Sequence, residues 1–166
     1  LIPRLRTVGM LFSPAHAGQV SQWRRDAEGA TLKLNTAELV EIEDIAQTLV
    51  GLLDRSDVLV GMDDPRIYNA DNLKTILLTS YTRDRVLIGP SAPFIAAGSL
   101  STTFSSPTEM ARSVSYLMDN PVAAKMTHYP RFFSVLSNQQ VARSMGFAPP
   151  NDTALAAEIA RMEASP

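Results

Sequence analysis

Residues Asp57 to Leu78 read DVLVGMDDPRIYNADNLKTILL. Asp57–Met62 is apolar on both alternating faces, as a parallel strand between two helix layers must be. Asp63-Asp64-Pro65 breaks that strand. Ala70 to Arg83 then sets Leu73, Ile76, Leu77, Ser80 and Tyr81 on one helical face. A doubly buried strand feeding an amphipathic helix is the unit of an α/β sheet with helices on both faces.

The same alternation runs outward in both directions. Upstream, Arg6 to Phe12 reads as a first strand ended by Ser13-Pro14, and Gly18 to Glu28 as a helix with Val20, Trp23 and Ala27 at helical spacing. That spacing predicts Trp23 in the core and leaves Arg24-Arg25 on a solvated face. Thr31 to Leu39 is a second strand. Ile42 to Leu53 is a helix with Glu41, Glu43 and Asp44 in its first turn, where the dipole favours acids.

Downstream, Arg85 to Ile88 is a fourth strand stopped by Gly89-Pro90, and Ser91 to Ala97 a short helix. Leu100 to Phe104 is a fifth strand. Ser106-Pro107-Thr108-Glu109 is a capping box opening a helix to about Met118, on which Met110 and Met118 read as packing residues. Arg131 to Leu136 is a last short strand, and Asn138 caps a helix ending before Gly146. Right-handed crossovers predict a doubly wound, mainly parallel five-stranded sheet in the order 2-1-3-4-5. Pro149-Pro150 separates residues 1–150, the main unit, from a helical tail over 151–166.

Composition narrows the function classes. The 166 residues are 45% hydrophobic and 19% charged, too apolar for disorder, and a chain of this length buries a core without staples. A net charge of −2 argues against a basic nucleic-acid surface. The apolar runs are far shorter than the roughly 20 residues a membrane span needs. With no cysteine, disulfides, thiolate catalysis and Cys-ligated metals are excluded. Because the chain opens at Leu1, a leader or a larger N-terminal part is expected before it.

Ligands of open α/β sheets bind beyond the C-terminal ends of the strands. Four loops lie there: Ser13–His16, Asp63–Asn69, Gly89–Phe94 and Phe104–Ser106. They offer hydroxyls, carboxylates, an amide and aromatic rings, suited to a small polar or aromatic ligand. Asp63 or Asp64 could accept a hydrogen bond from a ligand amine or hydroxyl, or could cap the turn before Pro65. Tyr68, Phe94 and Phe104 could stack on a ligand ring, or pack in the core or at its rim. The acid pair is also a feature of phospho-accepting receiver domains, but the first loop lacks acids and Ser105-Ser106 stand where a receiver has lysine. Ser13, His16 and Asp63 could be drawn as a triad, yet the spacing does not support it and no Gly-x-Ser-x-Gly elbow exists. The two histidines, His16 and His128, have no metal-ligand spacing, and no Gly-rich phosphate loop follows the first strand. No cofactor, metal or catalytic residue is therefore assigned.

With these loops in place, the chain resembles the periplasmic substrate-binding proteins of uncharacterised ABC-type transport systems, which have the type I periplasmic-binding-protein fold. The likeness is carried by Leu5–Pro14 (LRTVGMLFSP), Asp57–Leu78, Val86–Leu100 (VLIGPSAPFIAAGSL) and Phe133–Phe147 (FSVLSNQQVARSMGF), and spans about residues 4 to 150. It implies the C-terminal lobe of a two-lobed binding protein, with the first lobe preceding Leu1. It further implies a periplasmic or lipoprotein location, a permease partner, and ligand contacts from the Ser13-Pro14 turn, Asp63 and the Ser91 region. Amino acids, especially aromatic ones, are the associated ligands. The expected site is Ser13, Asp63, Asp64, Tyr68, Ser91 and Phe94. In this fold the helix after Ser106 packs on the first lobe. With that lobe absent, its stripe of Met110, Val114, Leu117 and Met118 predicts a homodimer. The competing readings are a repurposed lobe serving as a sensory or protein-interaction module, and a small α/β enzyme.

Overall fold

A computed structural model describes residues 2–120 and 130–163. His128 and the end of the tail from residue 164 lie outside them. The strands are β1 (Thr7–Phe12), β2 (Lys33–Glu38), β3 (Val58–Val60), β4 (Leu87–Ile88), β5 (Ser101–Phe104) and β6 (Ser134–Ser137). The helices are α1 (Val20–Gly29), α2 (Ile45–Leu53), α3 (Ala70–Tyr81), α4 (Pro93–Ala97), α5 (Pro107–Asp119), α6 (Gln139–Ser144) and α7 (Asp152–Glu163). 3-10 segments over Pro14–Gln19 and Ile42–Asp44 lead into α1 and α2.

The sheet order is β2-β1-β3-β4-β5-β6. The first five strands run parallel in the expected order 2-1-3-4-5. The sheet has six strands rather than five, because β6 adds to β5 in antiparallel register from Ser101↔Ser137 to Phe104↔Ser134. The reason is directional. β5 ends at the C-terminal edge of the sheet and β6 starts opposite that end, so it can only run back, and an antiparallel neighbour needs no crossover.

Side chains alternate between two buried layers. Leu11, Leu59 and Leu87 meet Leu49, Leu52 and Leu53 of α2 and Ile76 and Leu77 of α3. Val8, Val58, Val86 and Leu100 face the other way, against Val141 and Ala142 of α6, with Leu5, Leu34 and Phe147 around them. Burial on both faces is why β3 is uniformly apolar. α1 contributes no buried residue. Trp23, expected in the core, is only half-buried; it meets Phe12 edge-on, with ring centroids 6.2 Å apart.

At the N-terminal edge, Asp57 ties β3 to β1. Its Oδ2 accepts from the Arg6 N–H (3.0 Å), the Thr7 N–H (2.8 Å) and the Thr7 hydroxyl (2.8 Å). The Asp57 N–H returns a bond to Thr7 Oγ1. The Thr7 hydroxyl in the first place, with the backbone donors, holds this carboxyl below its usual range against the opposing effect of burial.

Candidate functional site

Parallel pairing brings the downstream ends of β1, β3, β4 and β5 to one edge, so the four loops read from the sequence share it. The first two are joined by one carboxylate. Asp64 is 2% exposed, and its Oδ2 accepts from the Ser13 N–H at 2.8 Å while Oδ1 accepts from the Arg66 N–H at 3.2 Å. His16 Nδ1 stands 3.2 Å from the same Oδ2. Burial pushes the Asp64 carboxyl up, but the Ser13 amide and hydroxyl, His16 and the Arg66 amide outweigh it and hold the group below its usual range. Asp64 is therefore an ionised clamp between the turn after β3 and the turn after β1.

Ser13, His16 and Asp64 converge without forming a nucleophilic triad. His16 Nδ1 faces both Asp64 Oδ2 and Ser13 Oγ, the latter at 3.5 Å. A relay needs the acid and the hydroxyl on opposite ring nitrogens. Ser13 is also 1% exposed, so its hydroxyl does not present to a substrate.

Asp63, one residue away, points its carboxylate to solvent, and no described residue hydrogen-bonds it. Tyr68 is buried. Its hydroxyl donates to the Leu11 carbonyl at 3.2 Å, and burial pushes its ionisation well above the usual tyrosine range. Tyr68 packs against the turn, since a Cβ added at Gly61 would lie 3.1 Å from its ring and 3.0 Å from Pro90 Cδ. Only glycine lets the loops after β3 and β4 approach this closely. Ser91 and Phe94 are half-buried beyond β4, and the Ser91 carbonyl accepts from the Phe94 N–H at 3.1 Å. Of the six expected site residues, Asp63, Ser91 and Phe94 thus reach solvent at this edge, whereas Ser13, Asp64 and Tyr68 lie beneath it.

Beyond β5 the edge continues into an apolar cleft of about 490 Å³ lined by Thr103, Phe104, Ser105, Met110, Pro130, Phe133 and Ile159. Sequence reasoning nominated Phe104 here but not Phe133 or Ile159. These arrive just before β6 and on α7, far along the chain, and no local spacing signals their convergence. Among the described residues no cluster of acids and histidines could hold a metal ion, and no helix is long and apolar enough to cross a membrane.

No family model matches the chain, and no curated protein matches it. Solved structures do. An ABC domain from Streptococcus pneumonia in complex with L-Trp superposes with a TM-score of 0.70 at 17% identity, over 93% of this chain and 55% of that one. A conserved domain protein from Vibrio cholerae gives 0.67 at 16% identity, over 93% and 54%. A ligand-free, open substrate-binding protein with adhesive properties from Clostridium difficile gives 0.70 at 13% identity, over 90% and 53%. The chain spans about half the length of these structures.

Proposed function

We propose that this chain, which has the fold of a single lobe of a type I periplasmic binding protein, holds a small solute at the C-terminal edge of its sheet. The solute class is an amino acid or a similar polar or aromatic molecule, taken up by an ABC-type system outside the cytoplasmic membrane. The observation that carries the reading is the convergence of four loops on one edge of a parallel sheet. On that edge the loop after β3 carries exposed Asp63, and the loop after β4 carries half-buried Ser91 and Phe94. Asp63 accepts from a ligand amine, Ser91 supplies a hydroxyl, and Phe94 offers a ring face. Ser13, Asp64 and Tyr68 position the loops from below. The chemistry is binding without turnover. The L-Trp in one structural neighbour supports an aromatic amino acid as the first solute to try.

The reading includes a first lobe that completes the clamp, a permease that receives the solute, and a second copy pairing through α5. Its experiment is a thermal-shift series with the twenty amino acids. A rise in melting temperature with one of them, lost in Asp63→Ala, is expected, since a ligand that binds only the folded state stabilises it by mass action. A folded parent chain with both lobes that shifts with none of them overturns it.

One observation favours the alternative of an interaction module. Val114 is 53% and Met118 77% exposed on α5, an apolar face turned to solvent. Sedimentation at micromolar concentration tests the second copy: a single 18.1 kDa species would rule the pair out.

A further inference from the structure

The chain has seven methionines and no cysteine, so its sulfur chemistry is thioether chemistry alone. Of the six methionines among the described residues, three are exposed to water. Met110 is 43%, Met118 77% and Met162 65% exposed, whereas Met10, Met62 and Met145 are half-buried. Met110 and Ile159 line the same cleft beyond β5. Met118 follows Met110 by two helical turns, on the same side of α5, and Met162 follows Ile159 by three residues, on the same side of α7.

The opposite side of α5 is fastened to Phe132 and to Ser134 at the start of β6. Glu109 accepts from the Ser134 hydroxyl at 2.7 Å, the Ser113 hydroxyl accepts from the Phe132 N–H at 3.3 Å, and the Arg112 guanidinium lies 4.3 Å from the Phe132 ring centre. The helix is thus held by its polar side, and its methionine side can change without loosening it.

We propose that the exposed Met110 and Met118 of α5 and Met162 of α7 are oxidant-responsive sites, converted to sulfoxides by peroxides while the fold stays intact. The thioether sulfur attacks one peroxide oxygen. An S–O bond forms, the O–O bond breaks, and the departing oxygen takes up the proton and leaves as water. Sulfur loses two electrons and the peroxide gains them. Each event turns an apolar side chain into a strongly polar one, so the apolar face of α5 and its cleft become polar, and a sulfoxide reductase reverses the change. None of the three residues belongs to the Asp63–Ser91–Phe94 edge, so the inference does not rest on the ligand site, but it applies to the unpaired chain, because a second copy on α5 would cover Met110 and Met118.

The experiment treats the 166-residue chain with hydrogen peroxide and follows each methionine by peptide mass spectrometry, alongside binding of a hydrophobic dye. Met118 should gain its oxygen first, then Met162 and Met110, with Met10, Met62 and Met145 several-fold slower. Dye binding should fall as the three react, with an unchanged circular dichroism spectrum, and return after treatment with a methionine sulfoxide reductase and a thiol reductant. A Met118→Leu/Met162→Leu chain, conserving volume, should keep most of its dye binding through the same treatment. Equal rates at exposed and half-buried methionines, or dye binding indifferent to oxidation, would overturn the proposal. Were the double variant to fail to fold, the site-resolved rates in the unaltered chain decide alone.

Discussion

Asp63 and Asp64 are neighbours with opposite environments, and substitution separates them. Asp64→Ala removes the acceptor of the buried Ser13 N–H and frees the turn after β3. An orphaned buried donor costs about 1–3 kcal/mol, so urea unfolding should register a loss of that size. Asp63→Ala touches no internal partner and should stay within about 0.5 kcal/mol of the parent in the same titration. If the losses came out the other way round, the clamp would have been assigned to the wrong carboxylate. Thr31 offers a gain. It takes φ 57° just after α1, where its N–H bonds the Glu28 carbonyl and the Leu32 N–H bonds the Ala27 carbonyl. A β-branched residue is strained there and glycine is not, so Thr31→Gly should raise stability by about 0.5–1 kcal/mol, measurable as a higher melting temperature.

Elements at the edge are held by close backbone approach as much as by side-chain burial. β4 is two residues long, and Gly89 follows it directly, its N–H donating to the Ser101 carbonyl at 2.8 Å. A Cβ at Gly89 would lie 2.6 Å from Phe94 Cβ and 2.7 Å from Ser99 Oγ. Gly89→Ala must therefore push α4 away from the sheet, at about 1–3 kcal/mol, and displace Phe94 from the edge. Unchanged unfolding together with an unchanged Phe94 environment by NMR would contradict this. α5 differs in its support. Its capping box is complete, with the Ser106 N–H on Glu109 Oε2 at 2.7 Å and the Glu109 N–H on Ser106 Oγ at 3.2 Å, while Ser113 is its one buried residue. That start signal was readable in four consecutive residues because a cap is local chemistry.

Across the whole molecule, charge ties stability to pH. Asp57, Asp64 and Glu109 all hold their protons less tightly when folded than when free. The unfolded chain therefore takes up more protons as pH falls. The contribution of the two aspartates is present above their free value of 3.8 and that of Glu109 above its free value of 4.5, and each is lost as pH drops through the lower folded value. Urea midpoints should hold steady down to about pH 5 and fall steeply below pH 4, and Asp57→Asn should flatten that fall; equal slopes in parent and variant would contradict the assignment. The order of elements, the parallel run 2-1-3-4-5 and the loops at its C-terminal edge were legible in the sequence, because hydrophobic period, glycine and proline stops, and crossover handedness act over a few residues at a time. The antiparallel β6, the half-exposed Trp23, the burial of Tyr68 and the division of labour between Asp63 and Asp64 were not. Each depends on which distant segment arrives alongside: β5 beside β6, the Ser13 turn beside Asp64, the Leu11 carbonyl above Tyr68. Local pattern dictates what a segment forms, but the partner that buries or hydrogen-bonds a given side chain is chosen by long-range packing, which leaves no periodic trace in the chain.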